Sequence, residues 1–253
     1  MVSANNKIYY IQIDNSNMER IYNIKEWVAS YISNQNENID NQLLSKVNML
    51  STLFSQNKLE LNISVPRLVT VGSQGSGKSS VLNTLIGLDV LPVGSQISTR
   101  CPLQLQLTND SNSNFAHFFE TSDGGELKLL KEISLNEPLL VADEIEQITR
   151  RYAGKSKNIS HDEIILHIKC PSVPNLTLID LPGLTTVSLT DQGQSPEIKQ
   201  QIRDLIAKYI IDPNTIILSI MAAREDIEVD LSLEVIQEHD PEFKRTVGIL
   251  TKI

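Results

Sequence analysis

Apolar positions along the chain follow two periods that alternate over most of its length. Short apolar or alternating runs predict strands, whereas apolar residues at three- and four-residue steps predict amphipathic helices. The predicted strands cover residues 69–71, 103–107, 115–119, 127–130, 164–169, 176–179, 215–221 and 246–250. The predicted helices between them cover residues 79–86, 139–152, 198–209 and 231–238. Because strands and helices alternate and several strands are apolar throughout, the pattern predicts an α/β fold with a doubly wound, mostly parallel sheet.

Two further helical patterns come before this α/β region. One spans residues 18–33, and the other spans residues 39–56, where the apolar residues form one stripe: Ile39, Leu43, Val47, Leu50 and Phe54. Both patterns indicate packing against the globular domain or a partner helix, because a membrane-surface helix would carry more Lys and Arg. The sequence therefore predicts an N-terminal helical segment over residues 1–60 and a larger domain over residues 61–253.

Composition narrows the classes of function. A chain of 253 residues with 40% hydrophobic and 21% charged side chains can bury one sizeable core without disulfides or metals. Its net charge of −9 argues against a nucleic-acid partner or an anionic membrane bound over the whole surface. Cys101 and Cys170 have no metal-ligand spacing, and we expect reduced, buried thiols in a cytoplasmic protein. Neither an export signal nor a membrane-spanning segment is predicted.

The strongest chemical signal is a G-x-x-x-x-G-K-S pattern at residues 72–79, directly after one predicted strand and before a predicted helix. Glycines allow successive backbone N–H groups to turn inward on phosphates, and the helix adds its positive N-terminal end. Lys78 then reaches the β- and γ-phosphates, and the Ser79 hydroxyl binds Mg²⁺. The pattern predicts a P-loop protein that binds a nucleoside triphosphate, whereas a simple Gly/Ser surface loop would not require these flanking elements.

Two later segments extend this prediction. Residues 180–183 have the pattern D-x-x-G after an apolar strand, which places a carboxylate near Mg²⁺ and a glycine N–H near the γ-phosphate. The chain ends at Thr251, Lys252 and Ile253, where a T/N-K-x-D guanine-recognition motif would have its aspartate at the next position. The sequence therefore favours guanine over adenine, and it predicts an N-terminal fragment that is truncated before the base-reading carboxylate.

Four segments together resemble one known family. Residues 72–80, 91–103, 175–183 and 245–252 resemble, in this order, the GTPase domain of the dynamin superfamily, and the resemblance covers roughly residues 60–253. It implies a mechanochemical GTPase that binds GTP with Mg²⁺, self-associates through its GTPase domains and contacts a membrane through regions outside this chain. It also implies a dynamin-type insert between Thr99 and Asp180, and a bundle-type helix at about residues 39–56.

The resemblance assigns roles to the residues at matching positions. The nucleotide-binding residues are Ser73, Gln74, Gly75, Ser76, Gly77, Lys78, Ser79, Ser80, Asp180, Gly183, Thr251 and Lys252. The metal ligands are Ser79, Thr99 and Asp180. The catalytic residues are Gln74, Lys78, Thr99 and Thr185, with Gln74 and the Thr185 backbone orienting the attacking water.

The chain departs from the family at the positions that handle water and a cation. Leu184 follows D-x-x-G where small GTPases commonly have glutamine, so a glutamine cannot position water from there. In dynamins a monovalent cation, K⁺ or Na⁺, is held by a phosphate-loop serine and by backbone carbonyls of the first switch. Here the serine position is Gly75, Ser76 comes one place later, and one carbonyl position, usually glycine, is Gln96, while Gly94 is kept. These changes predict weakened or rearranged cation activation.

Other polar residues have simpler interpretations. Thr186 stands where dynamins commonly have a lysine, which puts switching after hydrolysis in question. Arg100 is next to Thr99, which favours a role in the structure of the first switch over that of an arginine finger. The acidic residues between 225 and 234 are typical of a solvated loop and a helix N-terminus. The four histidines have no ligand spacing and indicate surface or packing roles.

An ATP-using P-loop protein remains an alternative, against which Thr251 and Lys252 argue, and two functions remain open for a GTP-binding chain. The first is GTP hydrolysis coupled to membrane remodelling or fission by a cytoplasmic protein that associates peripherally with membranes when assembled. The second is a nucleotide-gated, self-assembling scaffold with slow turnover, either antiviral like the Mx branch or associated with an organelle. Stimulation of hydrolysis by assembly on lipid would distinguish them.

Overall fold

The computed structural model describes residues 11–12, 67–94, 99–122, 125–154, 158–185, 197–223 and 230–252. Within these ranges the chain forms one nine-stranded sheet and four α-helices. The two helical patterns before residue 60 lie outside the described residues, as do Gln96 and Thr186. None of the described helices is long and apolar enough to cross a bilayer.

The elements follow the predicted alternation closely. The strands are β1 (Ile11–Gln12), β2 (Arg67–Val71), β3 (Leu103–Asn109), β4 (Phe115–Thr121), β5 (Leu127–Ser134), β6 (Ile164–Cys170), β7 (Leu176–Asp180), β8 (Thr215–Ala222) and β9 (Thr246–Thr251). The helices are α1 (Lys78–Ile86), α2 (Pro138–Ala153), α3 (Ile198–Ile210) and α4 (Leu231–His239). Only the two-residue strand β1 falls where no strand was predicted.

The order of the strands divides the sheet into two halves. The full order is β1-β9-β8-β2-β7-β3-β6-β4-β5. From β1 to β7 every neighbouring pair is parallel, which is the arrangement that crossover helices produce. Beyond β7 the sheet is mixed, because β3 is antiparallel to β7, β6 is parallel to β3, and β4 is antiparallel to both β6 and β5. This mixed half is the insert predicted between Thr99 and Asp180.

Helices cover both faces of the parallel half, as a doubly wound fold requires. On one face, Leu68 and the even-numbered apolar residues of β8 belong to a cluster that includes α1; α2 joins the same cluster beside β5 and β6 of the mixed half. On the other face, Val69, Val71 and Ile217 pack in a second cluster with α3 and α4. Strand β8 is buried over its whole length, which explains why its sequence is apolar at successive positions.

The chain after α1 is held close to the helix that it leaves. Gly87 ends α1 in the left-handed region with φ of 81°, and its N–H donates to the carbonyl of Asn83 at 2.8 Å. The Asn83 side chain then exchanges two hydrogen bonds with the backbone of Leu91, at 2.8 and 3.0 Å. These contacts fix the start of the segment that leads to Thr99.

Both cysteines are buried, and burial raises the pKa of the Cys101 thiol to about 11.

Candidate nucleotide-binding site

The loop between β2 and α1 has the backbone that a phosphate cradle needs. Gly75 and Gly77 have φ of 79° and 96°, in the left-handed region that favours glycine. A Cβ on Gly75 would meet no atom within 4 Å, so this side of the loop is open. A Cβ on Gly72 would lie 2.2 Å from the carbonyl oxygen of Ile220, so the loop begins in close contact with β8.

The Lys78 side chain lies under the loop and donates hydrogen bonds to its backbone. Its side chain is almost fully buried, and its ammonium group donates to the carbonyl oxygens of Gly72 and Ser73 at 3.1 and 3.0 Å. Burial lowers the pKa of Lys78 to about 8, while the charges of Asp180 and Asp230 act in the opposite direction. An ammonium group that donates to loop carbonyls can exchange them for phosphate oxygens without moving far.

The three predicted metal ligands lie together, with the hydroxyls of two of them at the carboxylate of the third. Asp180 ends β7 and is 1% exposed, and its Oδ2 accepts a hydrogen bond from the Thr99 hydroxyl at 3.0 Å. The Ser79 hydroxyl donates to the same carboxylate. The Oδ1 of Asp180 accepts from the Thr70 hydroxyl of β2 at 2.8 Å, a contact that no sequence motif indicates. Burial raises the pKa of Asp180, and the Lys78 charge followed by these three hydroxyls opposes that rise.

These oxygen donors suit Mg²⁺. No cluster of three or more His, Cys, Asp and Glu with the geometry of a metal site occurs among the described residues. One carboxylate with hydroxyl groups is the kind of donor set that Mg²⁺ completes with water and substrate phosphates, rather than with a cage made wholly of protein. The residues present therefore fit a magnesium ion that arrives with a nucleotide.

The D-x-x-G segment is joined to the loop by backbone hydrogen bonds. The N–H of Leu184 donates to Gly72 at 3.1 Å, and the N–H of Gln74 donates to Leu184 at 2.7 Å. A Cβ on Gly183 would lie 2.7 Å from the Lys78 Nζ and 2.8 Å from the Cα of Gln74. Gly183, Gln74 and Lys78 are thus neighbours, as the proposed roles at the γ-phosphate require. Thr185 comes directly after Leu184 and is half-buried.

The far edge of the loop contacts the end of β9. The Thr251 hydroxyl donates to the carbonyl oxygens of Ser76 and of Met221. The Ser76 hydroxyl is buried and has no hydrogen-bond partner in the part of the chain that the structure describes. Lys252 comes next, exposed and with φ of 55°. Of the two residues assigned to base recognition, Thr251 therefore contacts the phosphate loop directly, and Lys252 follows it.

Two predicted positions lie further from this centre. Ser80 is exposed on the first turn of α1, where its carbonyl accepts from the Thr84 hydroxyl. Arg100 donates to the carbonyl of Gly154 at the end of α2, at 3.0 Å, and this contact supports a role in switch structure.

Comparison with known proteins agrees with this geometry. The sequence model described as "Dynamin family" matches residues 68–253. Dynamin-1-like protein of Danio rerio is 40% identical over 216 residues, covering 83% of this chain and 31% of the relative. Dynamin-1 of Rattus norvegicus is 39% identical over 211 residues, covering 83% and 23%, and Dynamin-A of Dictyostelium discoideum is 41% identical over 217 residues, covering 84% and 24%. The chain spans less than a third of the length of these relatives, and the matched region contains the whole site. The chain belongs to the dynamin family.

Proposed function

We propose that this chain binds GTP with Mg²⁺ and hydrolyses the bond between the β- and γ-phosphates. The observation that carries the proposal is the buried corner in which Lys78 lies under a glycine loop while Ser79 and Thr99 donate to Asp180. Phosphoryl transfer needs a cation, an open loop and a carboxylate surrounded by hydroxyl groups in one place. Its catalysis depends on positioning the phosphates and on stabilising their charge.

Each residue has a distinct task in this proposal. Backbone N–H groups of residues 73–80 surround the phosphates, and Lys78 neutralises charge on the β- and γ-phosphates. Ser79, Thr99 and Asp180 hold Mg²⁺, which offsets phosphate charge when it is bound. The N–H of Gly183 donates to the γ-phosphate, and Gln74 with the Thr185 backbone orients the attacking water. Leu184 is apolar and buried, so it contributes no hydrogen bond from its side chain.

In the intact protein we propose that hydrolysis drives membrane remodelling or fission. The names of the relatives, dynamin-1 and dynamin-1-like protein, support this assignment. Self-association through the GTPase domains, peripheral membrane binding from the cytoplasm and guanine specificity through Thr251 and Lys252 belong to the same proposal. Because Gly75 offers no hydroxyl, activation by K⁺ or Na⁺ would be weak unless Ser76 takes over that contact.

Equilibrium binding of labelled GTP to the intact protein tests nucleotide binding directly. We expect binding that requires Mg²⁺, is displaced by GDP rather than ATP, and falls at least about a hundredfold in Lys78→Ala, because the buried cation that neutralises the phosphates is lost. Lys244→Ala is the matched control, because the side chain of this lysine is exposed and forms a surface ion pair with Glu242. Equal binding by wild type and Lys78→Ala would contradict the proposal.

Release of inorganic phosphate in the presence of lipid tubes tests the proposed output. A remodelling enzyme is expected to hydrolyse GTP several-fold faster when it assembles on the tubes. Binding of GTP without stimulated hydrolysis would instead support the nucleotide-gated scaffold with slow turnover.

A further inference from the structure

One buried carboxylate near the phosphate loop has no task in the proposed reaction. Asp230 precedes α4, and only 7% of its surface is exposed. Its Oδ1 caps the helix, because it accepts hydrogen bonds from the backbone N–H of Ser232 at 2.7 Å and from the Ser232 hydroxyl. Its Oδ2 is also buried, but it has no hydrogen-bond partner within the described ranges. A buried carboxylate oxygen left unpaired is unfavourable, so a helix cap alone does not account for it.

Contacts through β8 place this carboxylate beside the loop. The hydroxyl of Ser232 lies 3.3 Å from the hydroxyl of Ser219, which is fully buried on β8. Ser219 pairs in register with Val71, the last residue of β2 before the loop begins. Asp230 is therefore held at the base of the phosphate loop by a short chain of buried polar groups.

Lys78 lies in the field of two carboxylates, and the two differ in their partners. Both Asp180 and Asp230 stabilise the charged form of Lys78 against its burial. Asp180 accepts hydrogen bonds from Thr70 and Thr99 and belongs to the proposed magnesium site, so a metal offsets its charge when nucleotide binds. The Oδ2 atom of Asp230 has no hydrogen-bond partner in the described chain, and Asp230 is not among the residues proposed to hold the metal.

We propose that Asp230 weakens nucleotide binding, because it is a counter-charge that the phosphates must replace at Lys78 and because it repels them. Charges interact strongly in a site that is largely removed from water, so a single carboxylate there affects the affinity of an anion measurably. The effect is larger for GTP than for GDP, since GTP carries one more phosphate charge. Asp230 is not a catalytic residue in this proposal, because it acts by its charge and does not contact the reacting atoms. The inference rests on the proposed function, because it assumes that the loop binds a nucleotide.

Two substitutions remove the charge and keep a helix cap. Asp230→Asn and Asp230→Ser both leave a side chain that can accept from the backbone of Ser232. Equilibrium binding of labelled GTP and GDP, with Mg²⁺, is measured on the intact protein at pH 6.5 and low ionic strength. We expect the dissociation constant for GTP to fall about three- to tenfold in both variants, and that for GDP to fall less. The difference from wild type should shrink in about 0.5 M salt, because salt screens the charge.

Glu234→Gln is the matched control. It removes one negative charge from the first turn of the same helix, but from an exposed side chain that pairs with Arg203. We expect its dissociation constant for GTP to stay within about twofold of the wild-type value, since exposed charges interact weakly.

A purely structural role for Asp230 predicts the opposite result. Loss of a helix cap would lower the melting temperature and weaken binding, whereas removal of a competing charge tightens binding even if the melting temperature falls. Unchanged or weaker GTP binding in both variants therefore overturns the inference. If the wild-type protein itself does not bind labelled GTP, the proposed function fails; if it binds and the variants do not bind more tightly, only the inference fails.

Discussion

Glycine at position 183 is required by close contacts and not by backbone freedom. Its φ lies outside the left-handed region, yet a Cβ there would meet the Lys78 Nζ at 2.7 Å and the backbone nitrogen of Gln74 at 2.9 Å. The lysine end could move, but the backbone of Gln74 is joined to Leu184 and cannot move without breaking that hydrogen bond. A side chain at this position would therefore separate the D-x-x-G segment from the phosphate loop.

Substitution Gly183→Ala should affect both stability and binding. We expect the free energy of unfolding to fall by about 1–3 kcal/mol, as for other overpacked sites, and labelled GTP to bind at least about tenfold more weakly. Chemical denaturation and equilibrium binding measure these two effects. Gly94→Ala is the control for stability, because a Cβ there would meet no atom within 4 Å, and its unfolding midpoint should match that of wild type. A Gly183→Ala protein as stable as this control would show that the loop and segment separate readily.

Local sequence predicted the residues that act through motifs, but it did not predict those that act through long-range contacts. Lys78 and Asp180 occur in recognisable patterns, so their positions were clear before the fold was known. Thr70 and Asp230 belong to no such pattern, because each acts on a residue more than a hundred positions away. Thr70 donates to Asp180, and the charge of Asp230 acts on Lys78. A threonine just before a phosphate loop was the only available signal for Thr70.

At the scale of elements, β6 of the insert buries a histidine against an aromatic ring. His167 is 8% exposed, and its ring centroid lies 4.5 Å from that of Phe119. It is paired across the strands with His117, which itself contacts Glu132 on β5 at 2.7 Å. Burial, followed by the charges of Lys169 and His117, lowers the pKa of His167 from 6.5 to about 4. The folded insert therefore keeps this histidine neutral.

This histidine should make stability depend on pH. Because its folded pKa is below its unfolded value, the unfolded chain binds more protons between pH 6.5 and 4, and stability falls as pH decreases through that window. We expect a loss of roughly 2–3 kcal/mol from this residue, and His167→Gln should remove that part of the slope. Urea denaturation at several pH values measures it, with the exposed His161→Gln as control. An unchanged slope in His167→Gln would assign the pH dependence to other groups.

Elements were predicted well where their pattern was local and long. Strand β8 was clear because it is apolar at successive positions, and α3 because its apolar residues recur at helical steps. The hairpin of β4 and β5 was also predicted, although both strands extend further than expected. Strand β1 was missed, because a two-residue strand has no periodicity and forms only by pairing with β9. Neighbour relations such as β7 next to β3 likewise depend on the whole sheet.

At the scale of the molecule, the two halves of the sheet carry different features. The described site residues contributed by strands come from the carboxyl ends of β2, β7 and β9 in the parallel half, where a doubly wound fold gathers its loops. The mixed half ends in β5, whose Leu129 is 50% exposed. The site and this edge are separated in the sheet by β3, β6 and β4.

This separation predicts where a nucleotide protects the protein. At saturating GTP and Mg²⁺, backbone amides of the loop and of residues 180–185 should exchange with deuterium about tenfold or more slowly, because a bound nucleotide stabilises these segments against local opening. Amides of β5 should exchange at their original rate. Hydrogen exchange of the intact protein with and without nucleotide measures both, and Lys78→Ala should abolish the protection. Equal protection across β5 would indicate that binding stabilises the sheet as one unit.

The burial of both thiols has a practical consequence for attaching a fluorophore that reports conformational change. Cys101 and Cys170 are the only cysteines of the chain, and burial raises the pKa of the Cys101 thiol to about 11. Thiolates, not thiols, react with maleimide dyes, and access is also needed, so the natural cysteines should label slowly. Within this chain, one cysteine introduced at an exposed position would then take up a fluorophore in preference to the two buried thiols.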